Sequence, residues 1–352
     1  MPWRAAVIGC GAAARHGDEG FAIGRAHGRA YRELPDVTLA AACDVDADNL
    51  RRFLEGFDVP HGYRDVREML AAQRPDIVSV CVPVGHHASI VEACAAAGVR
   101  AILCEKPLAL GLGEAEGMLR ACAAAGTCLA LNTQRRFAPR WRAARTLLEG
   151  GAVGRLLRFE GSCPGWDLME WGTHWVDMAR FFAGDVPAEW VVAQVDARTG
   201  RRRYGHLVED DALVEIGFRG GATALLFMGE HAPREPANRI VGSDGLMELD
   251  GSGRGRFLGS RGQGWHPVPD TEGDAPDAIL LSIRELLAAV AAGREPAHGP
   301  RGAWAVTEMV MAAYESATRG QVVELPLAVR DFPLERVAAQ QRTGGGRGTP
   351  ER

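Results

Sequence analysis

The sequence predicts a parallel α/β domain with helices on both faces, followed by an α+β domain with a largely antiparallel open sheet. Three observations predict it. Short, wholly apolar runs alternate with helical stretches over the first 135 residues. Each run stops at a residue with chemistry of its own: glycine, aspartate, proline, glutamate or asparagine. Beyond about residue 150 the alternation gives way to strand-like runs with little helix between them.

The first run, 5–8, ends at Gly9, and the second, 37–43, ends at Asp44. Runs 77–82, 101–104 and 128–131 end at Pro83, Glu105 and Asn132. Runs this short and this apolar fit strands buried on both faces. Helical stretches lie between them at 24–33, 47–54, 66–72, 88–97 and 114–125. Right-handed crossovers bring all the strand C-termini to one edge, where ligands bind in such sheets. In the second part, 156–162, 190–195, 212–218, 222–228 and 246–249 read as strands, with Gly220-Gly221 as a hairpin turn. Helices are expected at 175–182, 278–292 and 303–317, and Pro139 suits the first turn of a linking helix. The expected domains are 1–135 and 136–330. Residues 331–352 are expected to form a partly disordered tail, glycine-rich near its end.

Composition excludes several classes. The formal net charge of −5 argues against a general nucleic-acid binder, which would be basic. No apolar run approaches the ~20 residues of a membrane span, and no secretory signal is visible before the first strand. The eight cysteines form no Cys-x-x-Cys pair, and most sit inside apolar runs. They read as buried thiols in a reducing cytoplasm, and a zinc site is not expected at these spacings.

Gly9-x-Gly11-x-x-Ala14 follows the first strand. The first glycine permits a tight turn, and the second lets backbone approach a pyrophosphate. Ala12, Ala13 and the helix start beyond them would offer free N–H groups to phosphate. Such glycines also make ordinary turns, but Asp44 adds weight. A carboxylate at the end of the second strand can accept hydrogen bonds from an adenosine ribose and repel a 2′-phosphate. NAD is therefore expected over NADP, with Arg51 and Arg52 keeping the second open. The spacing is irregular: Gly9 and Asp44 are 35 residues apart, and 15–24 reads as an insertion. This segment is a candidate flap over the pyrophosphate or the substrate mouth.

The fourth strand ends in Cys104-Glu105-Lys106-Pro107. A lysine at a strand C-terminus can stabilise a developing alkoxide, although a lone lysine is ordinarily solvated. Glu105-Lys106-Pro107 follows Val82-Pro83-Val84-Gly85-His86-His87 and precedes Asn132-Thr133-Gln134-Arg135-Arg136-Phe137. Gly172-Thr173-His174-Trp175-Val176-Asp177 comes later, and Gly293-Arg294-Glu295-Pro296 near the end. This succession, from about residue 5 to 327, resembles the Gfo/Idh/MocA oxidoreductases (glucose–fructose oxidoreductase, inositol dehydrogenase and their relatives).

The resemblance implies an NAD-linked enzyme acting on a secondary alcohol of a sugar, cyclitol or related polyol. It implies that Gly9, Gly11 and Asp44 hold the cofactor, and that Val82, Pro83, His87 and Glu105 line the nicotinamide side. Lys106 would touch cofactor and substrate, and His174 would accept the hydroxyl proton. Many relatives carry an aspartate four residues before that histidine; here the position is Glu170. Asp167 is a second candidate partner, and Trp166 and Arg136 are candidate substrate contacts. His86 reads as spacing, the Arg198, Arg201, Arg202 and Arg203 group as a solvated loop, and Glu209-Asp210-Asp211 as a strand entry rather than a metal site. Other readings are an epimerase or glycoside-cleaving enzyme using tightly bound NAD, and a dinucleotide sensor without chemistry. The expected partners are a small sugar-like substrate and other copies of this chain, as a homodimer or homotetramer paired through the second sheet. Neither nucleic acid nor membrane is expected.

Overall fold

The computed structural model describes residues 2–11, 22–235, 237–259, 264–270 and 277–344. Ala12, Ala13, Ala14 and most of the expected insertion lie outside the described residues. The chain forms two compact units, Met1–Phe137 with Pro276–Trp304, and Ala138–Ala275 with Ala305–Arg352.

In the first unit the strands are β1 (Trp3–Ile8), β2 (Val37–Cys43), β3 (His61–Tyr63), β4 (Ile77–Val80), β5 (Ala101–Cys104) and β6 (Cys128–Leu131). They pair in parallel in the order β3-β2-β1-β4-β5-β6. This is the doubly wound order that places a ligand crevice where the strand order reverses, between β1 and β4. Helices α1 (Ile23–Arg32), α2 (Ala47–Phe57), α3 (Val66–Gln73), α4 (His87–Ala96) and α5 (Leu112–Ala125) connect them. Asp46 and Asp65 cap α2 and α3 by accepting from the N–H groups of Asn49 and Glu68. Strand β3 carries only His61-Gly62-Tyr63 and shows no apolar period in the sequence.

The glycine turn departs from the sequence reading in one respect. Helix α1 begins at Ile23, so the helix-opening half of the fingerprint comes after the extra segment. A Cβ on Gly24 would stand 2.0 Å from the Gly9 carbonyl oxygen. Gly24 is therefore a small residue that lets the helix meet the turn after β1. Gly24 lies 20 residues before Asp44, which restores the usual spacing of about 20 from fingerprint to acid. The irregularity belongs to the stretch between Gly11 and Gly24 alone.

Helix α8 (Ala278–Ala291) packs in the first unit, although its sequence position suggests the second domain. Its buried face of Ile279, Leu280, Ile283, Leu286 and Leu287 joins Ala30, Tyr31 and Leu34 in one apolar core. An amphipathic helix goes where its stripe is covered, whatever its place in the chain.

In the second unit α6 (Pro139–Glu149) leads into β7 (Leu156–Pro164) and α7 (Thr173–Phe182). Strands β8 (Ala188–Asp196), β9 (Arg202–Arg203), β10 (His206–Leu207), β11 (Asp211–Phe218) and β12 (Thr223–Gly229) follow. Then come β13 (Asn238–Gly242), β14 (Gly245–Leu249), β15 (Gly255–Gly259) and β16 (His266–Pro267). Helix α9 (Pro300–Arg319), β17 (Val323–Glu324) and α10 (Leu334–Gly344) complete the chain. The main sheet runs β16-β15-β14-β13-β7-β12-β11-β8-β17, with β7 and β12 parallel and the other pairs antiparallel. Gly220 and Gly221 both take positive φ at the β11–β12 hairpin, a conformation that favours glycine. The expected disordered tail is helical over α10. Leu334, Val337 and Ala338 are buried there, and the Gln341 side chain bonds Val195 and Ala197. Residues 345–352 lie outside the described part.

Ile283 is fully buried in the α8 contact. Ile283→Ala is expected to lower stability by about 2–5 kcal/mol, measured by urea denaturation with a probe in the first unit. Loss below ~0.5 kcal/mol would show that the helix contributes little to that core.

Candidate functional site

Two polar clusters stand out, one in each unit. In the first, the strand C-termini surround a cavity of about 480 Å³ lined by Gly9, Gly11, Asp44, Val82, Pro83 and His86 among others. Gly9 has φ +91°, and a Cβ there would stand 2.3 Å from the Cys81 carbonyl oxygen. The turn thus accepts no side chain and leaves its backbone bare toward the cavity. Asp44 holds the turn as well as facing it. One carboxylate oxygen accepts from the Cys10 N–H at 2.8 Å, the other from the Asp46 N–H at 2.8 Å. A neighbouring hollow of about 540 Å³ is lined by Gly11, Arg25, Asn49 and Arg52, among others. Arg51 is exposed on α2, where it pairs with Asp48 and Glu55. Bare glycine backbone with an acid beside it fits a dinucleotide's pyrophosphate and ribose.

Glu105 turns inward rather than toward the cavity, and its side chain is 2% exposed. Its Oε1 accepts from Asn132 Nδ2 at 2.6 Å and lies 2.9 Å from His27 Nε2. Burial alone would raise this carboxyl. His27, the Lys106 charge and Asn132 outweigh it and hold Glu105 below the usual carboxylate range. His27 Nδ1 meets Ser79 Oγ at 2.9 Å, and Ser79 meets the Tyr31 hydroxyl at 2.8 Å. Asn132 accepts from Ser282 Oγ, which also meets His298 Nε2 at 3.1 Å. The acid next to Lys106 is therefore the hub of a buried network that reaches α1, β4, β6 and α8.

His87 is also placed differently from the sequence reading. Its ring is buried, with Nε2 2.8 Å from the Val82 carbonyl and Nδ1 3.2 Å from that of Leu108. It staples the loops after β4 and β5 together, while its exposed neighbour His86 faces the cavity. Arg136 is buried and donates to the Ala297 carbonyl at 3.1 Å.

The second cluster surrounds the start of α7. A single π-turn, Leu168–Gly172, precedes that helix. Such turns mark functional sites more often than ordinary helix does. Asp167 caps the turn by accepting from the Glu170 N–H at 2.7 Å. Glu209 accepts from the Leu168 N–H and, at 2.8 Å, from the Tyr314 hydroxyl. Arg203 Nε stands 3.2 Å from Asp167 Oδ2, and His206 Nε2 stands 3.3 Å from Glu170 Oε1. Burial raises Asp167 against the pull of the Glu170 N–H and Arg203. Burial, then the charge of Asp167, push Glu209 up to about 7. Half-buried Trp166 lies tilted against Trp171 with ring centres 5.1 Å apart, and Trp171 meets the buried His174 edge-on at 5.8 Å. The Arg203 guanidinium lies 4.2 Å from the Trp166 ring centre.

The arrangement brings Asp167, Glu170, His174 and Trp166 together as the sequence suggests. It also adds Arg203, His206, Glu209 and Tyr314, which the sequence reading left out of the site. The expected solvated arginine loop is half correct. Arg198 and Arg202 are exposed, but Arg203 is 13% exposed at Asp167 and Arg201 bonds the Glu209 carbonyl. Glu209, read as part of a strand entry, is fully buried. The sequence signal for this hairpin is weak: Tyr204-Gly205 is not a characteristic two-residue turn pair, and the pairing of Arg203 with His206 shows only in the structure. Among the described residues no three His, Cys, Asp or Glu side chains converge as for a metal. No helix there is long and apolar enough to cross a membrane.

A doubly wound sheet with a bare glycine turn, an acid after its second strand and a lysine after its fifth defines a dinucleotide-dependent oxidoreductase. Comparison narrows the class. Residues 3–133 match the family model of the oxidoreductase NAD-binding Rossmann fold. Residues 164–325 match that of the same family's C-terminal alpha/beta domain. The chain belongs to this Gfo/Idh/MocA oxidoreductase family. It is 28% identical to a D-apiose dehydrogenase of Paraburkholderia graminis, over 94% of this chain and 92% of that one. It is 28% identical to a myo-inositol 2-dehydrogenase of Thermotoga maritima, over 75% of this chain and 80% of that one. Levoglucosan dehydrogenase solved with NADH and levoglucosan superposes with a TM-score of 0.79 at 21% identity, covering 93% of this chain and all of that one. An Agrobacterium radiobacter oxidoreductase solved with NAD+, L-tartaric acid and magnesium gives 0.77 at 23% identity, covering 92% and 98%. The chain is thus an oxidoreductase with an NAD-binding Rossmann domain, of the class acting on CH–OH groups.

The buried network beside Glu105 carries a pH signature. Burial, then the Arg136 charge, lower His298 to about 3. An unfolded chain's imidazole takes up a proton near pH 6.5, so the unfolded state binds more protons between those values. The contribution of His298 to stability is therefore fully present above about pH 6.5 and is lost as pH drops toward 3. His298→Gln is expected to lose stability less steeply than the wild type across that window, measured by urea melts at stepped pH. Parallel slopes would contradict the lowered value.

Proposed function

We propose that this chain oxidises a secondary alcohol of a neutral sugar, cyclitol or related polyol, with His174 as general base and Lys106 steadying the alkoxide. One observation carries the proposal: His174 lies beside Trp171, which is tilted against Trp166, and follows a turn held by buried Asp167 and Glu209. Aromatic faces suit the apolar side of a sugar ring, and the acids suit its hydroxyls. The names of the similar proteins, an apiose and an inositol dehydrogenase, support the substrate class.

His174 takes the hydroxyl proton as the C–O bond gains carbonyl character. The Lys106 ammonium donates to the oxygen, where negative charge develops. NAD, held by the glycine turn and Asp44, would supply the hydride acceptor for the carbinol carbon. Glu105 keeps the backbone under Lys106 in place, since its Oε2 accepts from the Lys106 N–H at 3.3 Å. Gly9 and Gly11 leave backbone open to the pyrophosphate, and Asp44 offers its remaining lone pairs to the ribose while disfavouring a 2′-phosphate. Buried cysteines that are not joined in disulfides suit a reducing cytoplasm. Lys106→Ala and His174→Ala are each expected to cut turnover by at least ~100-fold with NAD binding retained. The check is NADH absorbance with myo-inositol, D-apiose and other polyols. Near-wild-type turnover in either variant would overturn the assignment.

The chain is further proposed to pair with itself through the open face of its main sheet. Trp190, Val192, Leu213, Leu225 and Phe227 present apolar surface on one half of that face. The other half carries a ladder of charges, Arg158–Glu160–Arg239–Glu248–Arg256, paired at 2.6–3.7 Å. Apolar area of this kind is ordinarily covered. Light scattering is expected to give a dimer or tetramer at micromolar concentration, and Leu213→Arg to shift it toward monomer. A monomeric wild type would rule out the pairing.

A further inference from the structure

The β9–β10 hairpin has no role in the scheme above, yet it supplies both basic side chains that meet the acids before His174. Its two strands are two residues long, and Arg203 and His206 stand opposite each other in register. Cross-strand partners project from the same face. The turn between them, Tyr204-Gly205, has φ of +47° and +91°, the doubly positive pattern of a tight two-residue hairpin. Tyr204 therefore sits where a side chain is disfavoured, a cost the surrounding contacts must offset.

Asp167 stands just before the turn and Glu170 within it, and the two are tied together because the Asp167 carboxylate accepts from the Glu170 N–H. The two acids are met by Arg203 and His206, cross-strand partners of one short ladder. The His206–Glu170 pair is 3% exposed on both sides, and Asp167 is fully buried. Buried carboxylates without partners are strongly unfavourable, so each pair fixes where its acid stands. The backbone of Glu170 is fixed as well. Its N–H goes to Asp167, and its carbonyl accepts from Thr173 Oγ1 at 2.7 Å, one residue before His174.

We propose that the β9–β10 hairpin is a positioning clasp for the acid–base end of the active centre. His206 is the positioning residue for Glu170, and Arg203 for Asp167. The clasp keeps the π-turn in the one geometry that presents His174 and Glu170 together. This rests on His174 being the base. Among the described residues, the titratable and charged groups around the His206–Glu170 pair include Asp167 at the cap of the turn, Arg203 across the hairpin, Arg201 before it, Glu209 after it, Tyr314 from α9 and His174 from α7.

The test has one arm without turnover and one with it. Histidine NMR titration of the whole protein without added ligand is compared between wild type and Glu170→Gln, which keeps the backbone bonds of the turn. The His206 midpoint is expected to fall by at least half a pH unit when its carboxylate partner is lost. An unmoved midpoint overturns the clasp, whether or not any polyol is oxidised. In the second arm, His206→Gln is assayed with myo-inositol or D-apiose. The expected result is a tenfold or greater fall in kcat, KM and NADH affinity within threefold, and an acid limb of the pH profile moved upward. Glu170→Gln should remove most of the effect of His206→Gln. Multiplicative losses with an unmoved acid limb overturn the proposal and leave a role in stability alone. An active His174→Ala would instead sink the functional reading, and the NMR arm still decides the pairing.

Discussion

Carboxylates held away from water govern this molecule, because each one must be answered by a donor or a cation. Asp44 is answered by two backbone N–H groups and thereby fixes the glycine turn. Glu105 is answered by His27 and Asn132, which ties the loop of Lys106 to four elements of the first unit. Asp167, Glu170 and Glu209 are answered by Arg203, His206 and Tyr314, which shape the turn before His174. The residues proposed for chemistry are held in place by acids whose own partners are buried.

This explains why the glycines and the acids belong together. Gly9 and Gly24 let helix α1 approach β1 until a methyl group would collide with backbone. That approach carries His27, three residues further along α1, to within 2.9 Å of Glu105. A close backbone contact near the cofactor turn thus sets the environment of the acid beside Lys106. The extra segment between Gly11 and Gly24 leaves this relation intact, because it enters before the helix begins.

Periodicity was a good guide where strands are short, apolar and buried on both faces. Strands β2, β5 and β6 begin and end where the apolar runs do. It failed for β3, β9, β10 and β17, whose two or three residues have no period to read. It also separated α8 from the unit it completes, since a helical stripe does not say which surface covers it. Lys106, His174, Glu170 and Asp167 were legible because strand ends and a family-like succession of residues marked them. Arg203, His206, Glu209 and Tyr314 were not, because an exposed arginine and a buried, paired one look alike in sequence.

The glycine turn marks the division. The sequence by itself determined that a dinucleotide turn follows the first strand, that Asp44 belongs to it, and that Lys106 and His174 stand at element boundaries. These depend on local patterns along the chain: apolar period, turn chemistry and the residue that ends each run. Only the tertiary structure decided that Gly24 completes the turn, that Glu105 and His87 face inward, and that a distant hairpin answers the acids before His174. Those outcomes depend on which groups lose water together, and burial is a property of the folded surroundings rather than of any residue's neighbours in the chain.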